Sequence, residues 1–118
     1  MIKEIKRFFE RGRKGYCYED LWQFDNWLSN TIARGLKEFK SNCHSYPSEA
    51  VTWEQWMAIL DEMIECFEEQ VRGDDNIPVK SDGKTLDFDV WDKRRAHKRE
   101  KLKRGLEILG KYYYDLWD

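Results

Sequence analysis

Apolar side chains recur every three or four residues through most of this chain, which is the spacing of one face of an α-helix. The first such stretch contains Ile2, Ile5 and either Phe8 or Phe9, and two glycines then interrupt the pattern. This stretch predicts a short amphipathic helix over residues 2–11.

A second helix is predicted to begin at Glu19 and Asp20, because acids in a first turn interact favourably with the helix dipole. The apolar residues after them form one stripe at helical spacing: Leu21, Phe24, Leu28, Ile32, Leu36 and Phe39. The helix should run to about Lys40, with this stripe facing the core. Trp22 and Trp27 are predicted to widen the stripe.

A third helix is predicted to begin at Thr52, and Gly73 is expected to end it in a left-handed conformation. Residues 41–48 before it have the composition of a loop. Thr52 and Gln55 have the spacing of a capping box, in which each side chain binds a backbone N–H of the other residue. The apolar stripe after them begins at Trp56, which we expect to lie in the core.

The last third of the chain is predicted to contain a loop and a fourth helix. Residues 74–86 include proline and glycine and show no helical period, so they predict a mobile loop. Within it, Val79 and Thr85–Phe88 are expected to pair as a small hairpin. From about Asp87 the fourth helix should run to the terminus. Its basic middle, residues 93–104, should project past the core or lie on its surface.

These elements predict an all-α fold, a small bundle of about four helices in one domain over residues 1–118. Eighteen aromatic residues can supply a core. No apolar run approaches the ~20 residues that a membrane span needs, so we expect no membrane partner. Three cysteines at unpatterned spacings and the absence of a signal-peptide core favour reduced thiols in a cytoplasm.

The net charge of −2 conceals a strong segregation of charge along the chain. Residues 1–40 contain nine Lys/Arg against six Asp/Glu, residues 41–92 three against thirteen, and residues 93–118 nine against four. The basic end segments favour an anionic partner, because a positive field attracts phosphate groups. The alternative is that the acidic third helix pairs internally with its basic neighbours.

Basic residues from both ends of the chain are predicted to form one ligand site beside a tyrosine and a histidine. The predicted ligand-binding residues are Arg11, Arg13, Lys14, Tyr16, His44, Arg94 and Arg95. Arginine binds phosphate through two parallel hydrogen bonds, and an aromatic or guanidinium plane stacks on a ring. We therefore expect an anionic, ring-bearing ligand where the two basic segments meet.

Asp25 lies on a mostly apolar helix between two tryptophans. A partly buried carboxylate needs a hydrogen-bond donor, and Arg13, Lys14 or His44 could supply one. The two tryptophans themselves either fill the core or form a stacking platform for a ring.

The acidic residues offer an alternative site for a metal ion. Glu62 and Glu65 share one helix face, and Asp89 and Asp92 open the next helix. This arrangement resembles the E-x-x-E…E-x-x-D magnesium site of all-α nucleotide pyrophosphohydrolases, although an aspartate replaces the second motif's first glutamate. The resemblance implies a Mg²⁺-dependent enzyme. The main interpretation needs neither metal nor cofactor.

The stretch from Arg13 to Ser29 resembles short tailed-bacteriophage proteins with the pattern R-G-[YW]-x-x-[ED]-D-[LV]-W-x-[FL]-D-x-[YW]-[LV]. The loop His44–Pro47 and the ending Tyr114–Asp118 match further features of these proteins, with Ser45 in place of a glycine. The resemblance implies phage origin and expression inside a bacterium, and it carries over no functional residue.

Without a diagnostic catalytic motif, the chain is expected to be a non-enzymatic accessory protein in the host bacterial cytoplasm. Such a protein, for example in counter-defence, would bind a host protein or sequester a phosphate-bearing, nucleotide-type signal. A pyrophosphohydrolase-like enzyme and a nucleic-acid binder are the alternatives. Aromatic residues on short helices also make a homo-oligomer plausible.

Overall fold

The computed structural model of this protein describes residues 2–48, 50, 52–71, 73 and 76–117. Its four α-helices are α1 (Ile2–Lys14), α2 (Phe24–Asn42), α3 (Trp53–Val71) and α4 (Phe88–Tyr112). A first 3-10 helix, Tyr18–Gln23, leads into α2, and a second, Tyr113–Asp115, follows α4. The predicted all-α bundle of about four helices is confirmed, and the described residues contain no strand.

The first helix ends three residues later than predicted. Gly15, not Gly12, ends it: Gly15 has φ +88°, and its N–H donates to the carbonyl of Arg11 over 2.8 Å. A left-handed residue directly after the last turn is the usual place for a helix-ending glycine. Gly12 lies inside α1 and is exposed.

The starts of α3 and α4 follow the sequence signals. The Gln55 N–H donates to Thr52 Oγ1 over 3.1 Å, as the capping prediction requires, and the Val90 N–H donates to Asp87 Oδ1 over 3.1 Å. Before α4, Val79 and Leu86 form an isolated antiparallel bridge, which is the predicted hairpin in its shortest form. Residues 74 and 75 of the predicted loop lie outside the described residues.

The core surrounds α3, which packs between α2 and α4. Trp56 is only 1% exposed, as predicted, and its ring meets that of Tyr112 in an edge-on contact at 5.4 Å. Gly105 allows α4 to lie close to α3, because a Cβ at this position would stand 2.8 Å from the Cβ of Cys66.

Ion pairs on both sides of α3 show the direction of the neighbouring helices. Lys37 and Lys40 of α2 pair with Glu68 and Asp61 of α3, respectively. Lys101 and Arg104 of α4 pair with Glu65 and Glu62, respectively. In each pair of helices one partner's residue number rises as the other falls, so α2 and α4 both run antiparallel to α3. The acidic third helix therefore pairs internally with its basic neighbours, as one of the sequence interpretations proposed.

Both neighbours extend beyond the C-terminal end of α3. Val71 at that end lines a small cleft with Asn30 and Ala33 of α2, and the Gln70 side chain donates to the carbonyl of Lys98 in α4. The α2 residues before Asn30 and the α4 residues before Lys98 thus continue past α3, by about 9 Å and about 15 Å at 1.5 Å per residue.

The predicted apolar stripe of the second helix is wrong in its first half. Leu21, Phe24 and Leu28 are 44, 47 and 41% exposed. The buried residues of α2 are instead Ser29, Ala33 and Leu36, and of these Ala33 and Leu36 belong to the core cluster. The residues of α2 before Asn30 also lie past the end of α3, so α3 does not cover this part of the stripe.

Candidate functional site

The extensions of α2 and α4 enclose a cleft of about 710 Å³ at the end of α3, here called the α2–α4 cleft. Asp25 of α2 contributes one wall, and Glu69 and Gln70 of α3 form the floor. The other wall is the stretch of α4 from Trp91 to Leu102. The volume lies within the ~300–1,000 Å³ typical of small-molecule sites.

The floor of the α2–α4 cleft is fixed by hydrogen bonds. The Gln70 Nε2 group donates to the carbonyl of Cys66 in its own helix over 3.2 Å and to that of Lys98 over 2.8 Å. Leu102, which is half-buried, continues the wall towards the core. The floor of the cleft is therefore joined to the core by these contacts.

The helix faces that point into the cleft are the same faces that form the core elsewhere. On α4, Trp91, Arg94 and Lys98 recur at steps of three and four residues, and the series continues to the buried Gly105 and Ile108. These faces change from apolar to charged beyond the end of α3. The cleft is therefore a direct result of α3 ending before its neighbours.

On α2, the corresponding series runs from Asp25 to the buried Ser29 and Ala33. Asp25 was expected to be partly buried, but it is exposed because α3 does not reach this part of α2. Its carboxylate therefore lies in the cleft wall opposite α4, and none of the expected donors Arg13, Lys14 and His44 lines that cleft.

Positive charge dominates the α2–α4 cleft. Its charged lining residues are the cations Arg94, Arg95, Lys98 and Arg99 and the acids Asp25 and Glu69. The guanidinium carbon of Arg95 lies 4.6 Å from the centroid of the Trp91 ring, in the range of a cation–π contact. The cleft thus combines an excess of cations with a planar surface.

The structure places the predicted ligand residues in two clefts and not in one. Arg94 and Arg95 line the α2–α4 cleft, whereas Arg11 lines a second cleft of about 730 Å³ beside the first 3-10 helix. The two clefts share no lining residue. Arg11 binds both carboxylate oxygens of Asp20, at 3.0 and 2.8 Å, so its guanidinium is committed within the protein.

None of the remaining predicted residues lines the α2–α4 cleft. Arg13 and Lys14 are exposed in the last turn of α1, and His44 is exposed in the loop after α2. The Tyr16 ring contacts the Trp27 ring at 6.1 Å. Neither Tyr16 nor His44 lines the α2–α4 cleft.

The second cleft is neutral in charge. Arg11 and Arg34 face Glu19 and Asp20 among its lining residues, which otherwise include side-chain amides and the tryptophans Trp22 and Trp27. The Arg11 guanidinium, followed by the N–H of Cys17, holds the pKa of Asp20 well below its usual range. Trp22 is 70% exposed and so is not a core residue.

The acidic residues of the magnesium alternative do not converge. Glu62 pairs with Arg104, and Glu65 pairs with Lys101. Asp92 lies twelve residues before Arg104 on α4, about 18 Å along the helix. Among the described residues, no group of three or more His, Cys, Asp or Glu side chains is placed to hold a metal ion.

The three cysteines are structural. Cys17, Cys43 and Cys66 are free and buried. Burial raises the pKa of the Cys66 thiol, which lowers the fraction of reactive thiolate at neutral pH. None of these thiols has the exposure that a nucleophile needs.

Comparison of this chain with protein-family models, curated proteins and solved structures gave no match. Within the described part of the chain, none of the helices has the length and apolar character to cross a membrane.

Sequence reasoning missed Trp91, Gln70 and Glu69 as cleft residues. Their position depends on where α3 ends relative to α2 and α4, which is a tertiary property. One sequence signal does bear on it: the acids of the third helix match cations of the fourth in reverse order, which favours antiparallel pairing. That pairing would have placed the basic residues before Lys98 beyond the end of the third helix.

Proposed function

We propose that this protein is a phage-encoded, non-enzymatic accessory protein that sequesters a phosphate-bearing, ring-containing small molecule of the nucleotide class. The ligand occupies the α2–α4 cleft inside the infected bacterium, where removal of such a signal would serve counter-defence. The observation that carries the proposal is the change of the α4 core face from apolar to cationic, beside Trp91, where α3 ends.

The charge of the α2–α4 cleft supports an anionic ligand. Four cations within a short stretch of one helix repel one another, and two acids in the cleft offset that repulsion only in part. Bound phosphate oxygens add negative charge beside these cations and accept charge-assisted hydrogen bonds from arginine. These cations lie past the end of α3, outside the packed core, so they are placed to contact a ligand in the cleft.

The position of the phosphate within the cleft follows from the helix dipole. The floor is the C-terminal end of α3, which carries partial negative charge and disfavours an anion. The phosphate is therefore expected at the outer wall, near Arg95 and Arg99, with the ring stacked on the plane formed by Trp91 and Arg95.

The experiment is titration calorimetry with nucleoside diphosphates, nucleoside triphosphates and cyclic dinucleotides. We expect at least one of them to bind. Arg95→Glu together with Arg99→Glu should weaken that binding by more than about a hundredfold, since each hydrogen bond to a charged group contributes roughly 1.5–3 kcal/mol.

Lys103→Glu combined with Lys93→Glu is the matched control, because it reverses two cations of the same helix outside the cleft lining. The control should retain most of the affinity. Equal losses in both double variants would show a diffuse field and favour nucleic-acid binding, which an oligonucleotide titration with a steep salt dependence would confirm. Conversion of a nucleotide in the presence of Mg²⁺, detected by chromatography, would favour the enzyme alternative.

A further inference from the structure

Helix α1 is attached to the rest of the protein by its polar side. Arg7 pairs with Glu19 at 3.4 Å, and Arg11 binds Asp20 of the first 3-10 helix. The Tyr18 N–H donates to the carboxylate of Glu10 over 3.0 Å. The α1 residues in these contacts are three or four positions apart or adjacent, so they share one side of the helix. The usual arrangement, with the apolar side turned inward, is reversed.

The apolar side of α1 is consequently exposed. It consists of Ile2, Ile5, Phe8 and Phe9, here called the α1 apolar face, and no residue of Ile2–Lys14 is buried. Phe8 and Phe9 are 72 and 68% exposed. Large aromatic side chains on one side of a helix that faces away from the protein body form a surface suited to a partner.

Cations border the α1 apolar face. Lys6 is four positions after Ile2 and three before Phe9, and Arg13 is four positions after Phe9, so both lie next to the face on the helix surface. Both side chains are exposed. In all, α1 contains six Lys/Arg and two Glu. A helix with aromatic residues on one side and an excess of Lys and Arg on the other is the type that lies in the interface of an anionic bilayer.

Charge argues against a second copy of this chain as the occupant. Two copies meeting through α1 would bring two strongly basic helices together. A bilayer with anionic headgroups reverses the sign of that interaction, and it needs no complementary shape.

We propose that α1 docks this protein on the surface of an anionic membrane. Phe8 and Phe9 insert at the boundary between headgroups and acyl chains, and Lys6 and Arg13 bind the headgroups. This proposal departs from the expectation that the chain has no membrane partner, which was based on the lack of a spanning segment; docking by α1 requires no spanning helix. This inference is independent of the α2–α4 cleft, which lies at a different part of the molecule.

The test is flotation of the protein with vesicles of phosphatidylcholine alone or with about a third phosphatidylglycerol. We expect binding to the anionic vesicles, at least about tenfold weaker binding to the neutral ones, and loss of binding near 1 M salt, where the Debye length is about 3 Å. Phe8→Ser with Phe9→Ser should abolish flotation, and Lys6→Glu with Arg13→Glu should remove the preference for anionic lipid.

Two control variants change equally exposed residues elsewhere: Tyr113→Ser with Tyr114→Ser, and Lys93→Glu with Lys103→Glu. Both should float like the parent protein, and circular dichroism should show that all variants fold. Failure of the parent protein to float with anionic vesicles overturns the proposal, as does equal loss in variants and controls. A dimer mass by light scattering that Phe8→Ser with Phe9→Ser converts to a monomer would assign the face to a second copy and also overturn it.

Discussion

At Gly105, α4 lies close to α3. A Cβ built at this position would lie 2.8 Å from the Cβ of Cys66 and 3.2 Å from the ring of Phe67. Both neighbours are buried in α3 and have no space to move aside. The absence of a side chain at Gly105 therefore allows the two helices to approach closely, and this distance affects the position of the cationic wall of the cleft.

Gly105→Ala is predicted to destabilise the protein by about 1–2 kcal/mol. The overpacking cost of roughly 1–3 kcal/mol exceeds the gain of up to about 1 kcal/mol in helix propensity. Gly110→Ala is the control in the same helix, because a Cβ there meets nothing within 4 Å. Urea denaturation should show lower stability for the first variant and equal or higher stability for the second; the opposite order would contradict the close helix contact.

Trp56→Ala is predicted to cost about 3–5 kcal/mol, because it leaves a large cavity between α3 and α4. Trp22→Ala removes the same side chain from a mostly exposed position and should change stability by no more than about 0.5 kcal/mol. Thermal melts of the two variants give the comparison. Similar melting temperatures would place Trp56 at the surface.

At the level of single elements, Asp20 provides one of the polar contacts that attach α1 to the rest of the protein. Asp20 binds the Arg11 side chain and accepts a hydrogen bond from the N–H of Cys17. Its lowered pKa means that the folded state favours the charged form of the carboxyl group. A carboxyl group whose pKa is lowered on folding contributes stability above its ordinary pKa, and this contribution is lost as the pH falls through the lowered value.

Hydrogen exchange of the α1 amides should therefore change little between pH 7 and pH 5, after correction for the intrinsic rate. Below the ordinary Asp pKa of 3.8, protection of α1 should decrease before that of α3. Asp20→Asn should accelerate α1 exchange at pH 7 on the order of tenfold, since the half-exposed Arg11 screens part of the interaction. Asp61→Asn, which removes an ion pair between α2 and α3, should leave α1 exchange unchanged.

Most elements could be predicted from sequence because their signals are local, although the second helix begins at Phe24 after a 3-10 helix, not at Glu19, and the fourth ends at Tyr112, short of the terminus. The capping residue Thr52, the stripe that begins at Trp56 and the helix-ending glycine after α1 act within one or two turns. Which face of α2 turns inward was not a local property: Leu28 belongs to the predicted apolar stripe and is 41% exposed, whereas the small Ala33 is buried in the core. A prediction from the apolar pattern considers only which side chains are apolar, and it does not take into account how closely two helices pack.

The candidate site was predicted only in its α4 half. Arg94 and Arg95 were found because a dense basic run is visible in sequence. Their expected neighbour Arg11 is engaged with Asp20 in a different cleft, and this contact joins residues nine positions apart across a turn. Trp91 lines the cleft because α4 extends past the end of α3, and the spacing of apolar residues along the sequence does not show where one helix ends relative to another.

The molecule as a whole has an open shape, on which both the α2–α4 cleft and the α1 apolar face depend. The radius of gyration is 18.1 Å, and the extents are 53 × 45 × 20 Å. A compact domain of this length has a radius of gyration of about 13.5 Å. The excess arises because α1 stands away from the core and because α2 and α4 extend past α3. The same features create the α2–α4 cleft and the α1 apolar face.

Small-angle X-ray scattering on the monomer peak of a size-exclusion column tests this openness most directly. We expect a radius of gyration close to the 18.1 Å of the structure, slightly increased by hydration, and a flat particle. Light scattering on the same peak verifies the monomer mass. A value near 13.5 Å would mean that α1 and the helix extensions fold onto the core, which would close the cleft, cover the apolar face and contradict both proposals.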